Sequence, residues 1–241
     1  MKYSKIILIL LILPLFLTNS CDLNSINGSG NIIKKSRSVS GFNRVSISGS
    51  GHLFIIQGNK ESLTIDCDDN IEPHIFSIVK DKTLKIGPDK FNLNPSEPIK
   101  YTLTLRNIRA LKTSGSILVK SNTLRTEKLK VEISGSGRFI LDRIEAQSIT
   151  FKINGSGKVD IESGNSKNQI LSVSGSGEFN LPNLKSENTD LNISGSGKAN
   201  VWVTNKLNIK ISGNGKAYYY GTPIISSTIS GSGKVKSLGT K

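Results

Sequence analysis

The sequence is short of nearly everything from which catalytic and metal sites are built. It holds two histidines, His52 and His74, and two cysteines, Cys21 and Cys67. These four residues do not have the spacing of a zinc site. Serine is plentiful, yet no serine sits in a nucleophile-elbow motif, and no Gly-Lys-Ser/Thr phosphate loop occurs. Aromatic residues make up only 6% of the chain, and no long segment has a helical period. The one long apolar run, Ile6 to Leu17, is too short for a membrane span. No cofactor, metal or catalytic residue is expected, and the chain reads as a non-enzyme.

That apolar run follows Lys2 and Lys5 and leads through Thr18-Asn19-Ser20 into Cys21. Residues 1–20 read as a signal peptide, and Cys21 as the lipidated first residue of a bacterial lipoprotein. The membrane is then a partner through the N-terminal lipid. Leu17 stands four residues before the cysteine where three is usual, and the alternative is an ordinary cleaved signal peptide with Cys21 incidental. With Cys21 lipidated, Cys67 has no disulfide partner, and stability must come from packing. Residues 21–38, with Gly28-Ser29-Gly30 and Lys34-Lys35, read as a polar tether. The expected location is the cell envelope, as an outer-membrane lipoprotein, with the outer and periplasmic faces both open.

What the chain does contain is a repeat. Pentapeptides of the form Ile/Val-Ser/Asn-Gly-Ser/Asn-Gly recur from Ile47 to Gly233, with a weaker copy at Ser114-Gly115-Ser116. From Gly115 on, the first glycines stand at 115, 135, 155, 175, 195, 213 and 231. That is four steps of 20 residues and two of 18. A short fixed period means stacked units that lean on their neighbours. One unit reads Leu129, Val131, Ile133, Gly135, Gly137, Phe139, Leu141, and its successors repeat the alternation. Aliphatics and glycines share one parity, hence one face of an extended chain. Both glycines of each pair are therefore expected inside, at a corner with no room for a Cβ.

An extended segment, a corner and a second extended segment make a coil of about 18–20 residues. The fold class is all-β, a solenoid with neighbouring coils about 4.8 Å apart and roughly 35 Å of rod over seven coils. The Ser/Asn positions Ser134, Asn154, Ser174, Ser194, Ser212 and Ser230 point outward, where a ladder of side-chain hydrogen bonds is expected. Hairpins turning at Gly-Ser-Gly are the competing all-β reading. Residues 39–110 form an N-terminal β module with a diluted repeat, and 111–241 the regular repeats, so two stacked modules are expected. Gly87 to Pro98 is a loop with three prolines, where a ladder could not continue.

Asp66, Asp68, Asp69 and Asn70 form the densest acidic cluster. Calcium ligation is one reading, and a solvated turn the favoured one. Cys67, on the apolar parity of its strand, reads as a small buried hydrophobe. The residue after the second repeat glycine is Arg138, Lys158, Glu178, Lys198, Lys216 and Lys234 in turn. Stacking makes Arg138, Lys158, Lys198, Lys216 and Lys234 a basic stripe for an anionic polysaccharide, lipid headgroups or another acidic polymer. The favoured reading is a row of lysines that only keeps a β surface soluble and resists edge pairing. Tyr218, Tyr219 and Tyr220 with Trp202 are the one aromatic cluster, and Tyr219 has inward parity. Nucleic acid is not expected, for want of aromatic platforms beside the basic residues.

The opening Ser40-Gly41-Phe42-Asn43-Arg44-Val45-Ser46-Ile47-Ser48-Gly49-Ser50-Gly51, the recurring Ser-Gly-Ser-Gly and the late Tyr219-Tyr220-Gly221-Thr222-Pro223 resemble the putative auto-transporter adhesin, head GIN domain family. The resemblance runs from Val39 to Ser237. It implies a right-handed parallel β-helix-like fold, export to the envelope and an adhesin or scaffold role without catalytic residues. Ile117, in place of a second glycine, departs from the pattern and suggests a seam. Expected partners are a host protein, a glycan or an anionic polysaccharide, and a second copy of the chain meeting it at the solenoid ends. A periplasm-facing structural or sensory protein is the alternative. Less favoured is a polysaccharide-processing enzyme using Asp89, Lys90 and Glu97 of the proline loop.

Overall fold

The computed structural model describes residues 25–241, so the signal peptide and Cys21 lie outside the described residues. Five long strands carry the repeat: β9 (Ala110–Gly135), β10 (Arg138–Gly155), β11 (Lys158–Gly175), β12 (Glu178–Gly195) and β13 (Lys198–Gly213). They pair in parallel, each with the next, and Gly135, Gly155, Gly175, Gly195 and Gly213 fall opposite one another. β14 (Lys216–Tyr220), β15 (Ile224–Ser230) and β16 (Lys234–Ser237) continue the stack. The result is the expected β-solenoid, with about six turns. The change from 20-residue to 18-residue steps has a local cause. β12 and β13 slip in register between Leu181 and Lys185 and again between Ser186 and Asn188, so the corner at 182–184 has no counterpart in the next coil.

The two glycines of each corner do different work. Gly175 sits at the surface with φ +118°, and an added Cβ would lie 2.6 Å from the carbonyl oxygen of Gly155. That oxygen already accepts the Ser176 N–H at 3.0 Å. Gly177 is buried, and a Cβ there would lie 2.5 Å from Ile153 Cγ2. Only the second glycine thus has the inward position expected of both; the first makes the corner through backbone conformation. The outward residues Ser134, Asn154, Ser174, Ser194, Ser212 and Ser230 form no side-chain ladder. The ladder that exists lies at another corner, where Asn205 Nδ2 donates to Asn188 Oδ1 at 2.9 Å and Asn188 Nδ2 to Asn168 Oδ1 at 3.1 Å.

Inside, like stacks on like, with size alternating between coils. Phe151 reaches from one wall between Phe139 and Phe179 on the other, with ring centroids 6.1 and 6.3 Å away. Val159, in register between those two phenylalanines, leaves the space that the third ring fills. The interior is not wholly apolar. Buried Gln169 donates to Ser166 Oγ at 3.0 Å, and buried Ser186 and Thr189 share a hydrogen bond of 2.8 Å.

The N-terminal half closes the other end of the same core. β3 (Arg44–Gln57) pairs in parallel with β9 on one side. On its other side lie β6 (Thr83–Pro88) and β8 (Lys100–Leu105), also parallel. The chain therefore builds the coil beyond β3 and returns across it before the regular repeats begin. Gly115 stacks on Gly49 and Ile117 opposite Gly51 at that crossing, and Ile117 is buried. Antiparallel strands then cover the end: β4 (Ser62–Asp68) against β8, β2 (Ile32–Arg37) against β4, and β5 (Ile75–Lys80) against β6.

From Ser25 on, the stretch read as a tether is folded: β1 (Ser25–Asn27) pairs with β7 (Asn92–Asn94) from the proline loop, and β2 is part of the cap. The acidic cluster is a surface turn only in part, at Asp69 and Asn70. Asp68 is fully buried and accepts the N–H groups of Gly30 at 2.8 Å and Ser96 at 3.0 Å. Asp69 accepts Ser29 Oγ–H at 2.6 Å and Asn31 Nδ2–H at 2.8 Å. The cluster buckles residues 27–31 and the proline loop to β4, because a buried carboxylate must be hydrogen-bonded.

Candidate functional site

Parallel in-register pairing turns a repeat position into a column. Arg138, Lys158, Glu178, Lys198, Lys216 and Lys234 are successive register partners, so the structure brings all five stripe residues together on one face. Its two halves differ in charge. Arg138 Nε lies 2.8 Å from Asp160, Lys158 Nζ 3.4 Å from both Asp160 and Glu178, and Lys198 Nζ 3.6 Å from Glu178. Asp160 belongs to the neighbouring outward position of β11, which sequence reading of the column alone overlooked. Among the described residues, Lys216 and Lys234 have no acidic partner within ion-pair distance.

Beyond Lys198 the face also changes chemistry. The chain carries no acidic residue after Asp190, while seven lysines follow it. Lys198 Nζ stands 5.7 Å from the ring centroid of Tyr218, and Lys185 Nζ 5.6 Å from that of Trp202. Lys241 Nζ lies 4.8 Å from Tyr220 and 5.5 Å from Trp202, and also donates to Pro182 O at 2.8 Å. Aromatic platforms do lie beside basic residues here, contrary to the ground on which sequence reading set nucleic acid aside. Tyr219 packs against the core, as its parity implies, whereas Tyr218 and Tyr220 occupy outward positions of β14.

Other candidates have local structural partners. Asp89 meets His74 Nδ1 at 3.3 Å and accepts the Lys90 N–H, while Glu97 lies 3.8 Å from Lys100. Cys67 is buried, and burial foremost, then Glu72 and Asp68, pushes its thiol up to about 11, which leaves it protonated and unreactive. Among the described residues no group of three or more His, Cys, Asp or Glu side chains is placed to hold a metal ion. A shallow groove of about 1010 Å³ follows the far corner past Arg125, Glu145, Lys167 and Lys185. Its charges alternate, with Arg125 3.6 Å from Glu145.

A solenoid with smooth charged columns and a sealed N-terminal end defines a class of repeat scaffold. The chain belongs to the family described as putative auto-transporter adhesin, head GIN domain, whose model matches residues 41–223. It is similar to the crystal structure of a putative adhesin from Bacteroides fragilis NCTC 9343, at 26% identity and TM-score 0.80, over 88% of this chain and all of that one. A putative lipid binding protein from Parabacteroides distasonis ATCC 8503 shares the fold at 23% identity and TM-score 0.74, over 89% of this chain and all of that one. So does a putative adhesin from Parabacteroides merdae ATCC 43184, at 19% identity and TM-score 0.73, over 89% of this chain and 99% of that one. No curated protein matches the chain. Among the described residues no helix is long and apolar enough to cross a membrane.

Proposed function

We propose that this protein is a non-enzymatic envelope lipoprotein, anchored through lipid on Cys21, whose solenoid face acts as an adhesin that binds an anionic polymer. The observation that carries this reading is the register of the basic column. A single residue choice per repeat, multiplied by parallel stacking, gives a column of side chains about 4.8 Å apart on a flat, extended surface. From Arg138 on it is basic at every position but Glu178 and, among the described residues, without acidic partners at Lys216 and Lys234. Such a surface suits a long ligand held by many weak contacts better than a small molecule held in a pocket. Membership in a family described as an adhesin head supports it.

Protease shaving of intact cells, followed by mass spectrometry with a lysed control, tests the placement. Digestion on intact cells is the expected result. Protection before lysis and digestion after it would overturn the surface reading and favour a periplasmic structural or sensory role.

A further inference from the structure

We propose that the outward face of the last coils, around Trp202, Tyr218 and Tyr220, is a subsite for an acidic polysaccharide. This deepens the reading above, on which it rests, by naming the ligand class and the part of the column that takes it. Alternate residues of a strand share a face, so Lys198, Asn200 and Trp202 of β13 form one outward row. Register pairing sets Lys216, Tyr218 and Tyr220 beside them, with Lys234 and Lys236 of β16 in the following row. The rows are about 4.8 Å apart, and residues within a row about 6.6 Å. The face therefore offers a band of cations running into three outward rings, Tyr218 beside Asn200 and Tyr220 beside Trp202. Lys241 Nζ lies 4.8 Å from the Tyr220 ring and 5.5 Å from that of Trp202.

The chemistry of this patch is that of a sugar chain with anionic groups. The C–H face of a pyranose ring packs on an aromatic face, and a carboxylate or sulfate pairs with an ammonium that has no acid of its own. Lys216 and Lys234 meet that condition, while Arg138 and Lys158 are already neutralised by Asp160 and Glu178. The rings are half-buried in a flat sheet rather than raised on a loop, and so are poorly placed to enter a bilayer. The exposed isoleucines Ile224, Ile225 and Ile229 lie on β15, outside these rows.

Trp202 is the only tryptophan in the chain, so its emission reports on this patch alone. The experiment titrates the full chain in neutral detergent with polygalacturonate, heparin, oligo-dT, or micelles doped with phosphatidylglycerol. Binding is followed in parallel by a method that does not use fluorescence. The expected result is a saturable change in Trp202 emission with one of the two glycans. Tyr218→Ala should weaken that glycan about three- to tenfold, from the loss of one ring contact, with Tyr218→Phe restoring it. The pair Lys216→Gln and Lys234→Gln, at exposed positions, should weaken it further while leaving the fold intact.

A response to oligo-dT or to the doped micelles, with none to either glycan, would overturn the proposal in favour of those ligands. A glycan that binds without moving Trp202 emission, and is lost on Arg138→Gln and Lys158→Gln, would overturn this subsite yet leave the stripe reading standing. Failure of every anionic probe to bind would overturn both.

Discussion

Replacing Gly175 with alanine tests whether the solenoid corner is set by backbone conformation, as opposed to side-chain packing. The new methyl would stand 2.6 Å from the Gly155 carbonyl oxygen, a main-chain atom that cannot rotate away. It would also sit on a residue at φ +118°, where a side chain costs about 1–3 kcal/mol in strain. Forcing the strands apart adds about 1–3 kcal/mol of overpacking and stretches the 3.0 Å hydrogen bond from Ser176 N–H to that oxygen. The sum is about 4 kcal/mol, a large part of the 5–15 kcal/mol typical of a folded domain. Gly177→Ala differs in kind. It has no positive φ, and its Cβ meets first a side-chain atom, Ile153 Cγ2, at 2.5 Å, with the Gly157 carbonyl oxygen farther off at 3.0 Å, so about 1–3 kcal/mol is expected.

Urea unfolding of the two single variants, of Ile153→Ala and of both double variants forms a pair of cycles. Removing Cγ2 should relieve Gly177→Ala by roughly 1 kcal/mol or more of coupling and leave the cost of Gly175→Ala unchanged. A loss below about 1 kcal/mol for Gly175→Ala, or equal coupling at both glycines, would refute the division of labour.

At the cap, Arg37 donates to Glu72 Oε1 at 2.7 Å and to the Ile75 carbonyl at 2.6 Å. Arg37→Ala should cost about 2 kcal/mol and speed the labelling of Cys67 by a thiol reagent, which in the native protein should be negligible at pH 8; fast native labelling of Cys67 would show that the cap is open. Burial alone would raise the Asp68 carboxyl, but the hydrogen bonds from Ser96 and Gly30 outweigh it and hold it below its usual value. A carboxyl lowered in the folded state stabilises the fold above its unfolded value of about 3.9 and loses that contribution as pH falls through the folded value. Stability should therefore decline below about pH 4, and Asp68→Asn should be less stable at pH 7 yet flatter below pH 4; parallel slopes in urea midpoints would exclude Asp68 as the acid-sensitive group. Two C-terminal ends brought together would oppose the seven lysines that follow Asp190 in each copy, so sedimentation at low ionic strength should show a monomer, and a low-salt dimer through β15 would contradict the charge reasoning.

The regular half was legible because its physics is local. Alternation fixes which face is inside, and a fixed period fixes what stacks on what, so Phe139 over Val159 follows from counting alone. The cap was not legible, because its partners are distant in sequence. Nothing around Asp68 announces that Gly30 and Ser96 will come to it, and β2 has only Ile32 and Ile33 to suggest a strand. Nor does a polar residue such as Gln57 declare that its amide will bind the main chain of Arg125, as it does through both Oε1 and Nε2. In the stripe, the column was readable and its neutralisation was not, since Asp160 and Arg138 meet across 22 residues.

One sequence signal did mark the aromatic patch, and it is the change of step. Coils of 20 residues carry a full corner, with Asp142-Arg143 in one and Glu162-Ser163 in the next. The coil after Pro182-Asn183-Leu184 omits these positions, and the slipped register sets Trp202 opposite Lys185. Tyr220 then falls beside Trp202, and the lysine at 241 can reach both rings. Shortening the corner thus removes positions that carried acids in earlier coils and draws an aromatic residue to the edge of the flat face. The pairing is regained by Gly195 and Gly213, and the following coil repeats the shorter length, with 18 residues from Gly213 to Gly231. The 18-residue coils are a different surface built on the same core. A variant that restores two residues after Val203 should return Trp202 to a corner position and abolish its fluorescence response to polygalacturonate or heparin, with Lys216 and Lys234 still in their column. An undiminished response in that variant would show that the shortened corner has no part in forming the patch.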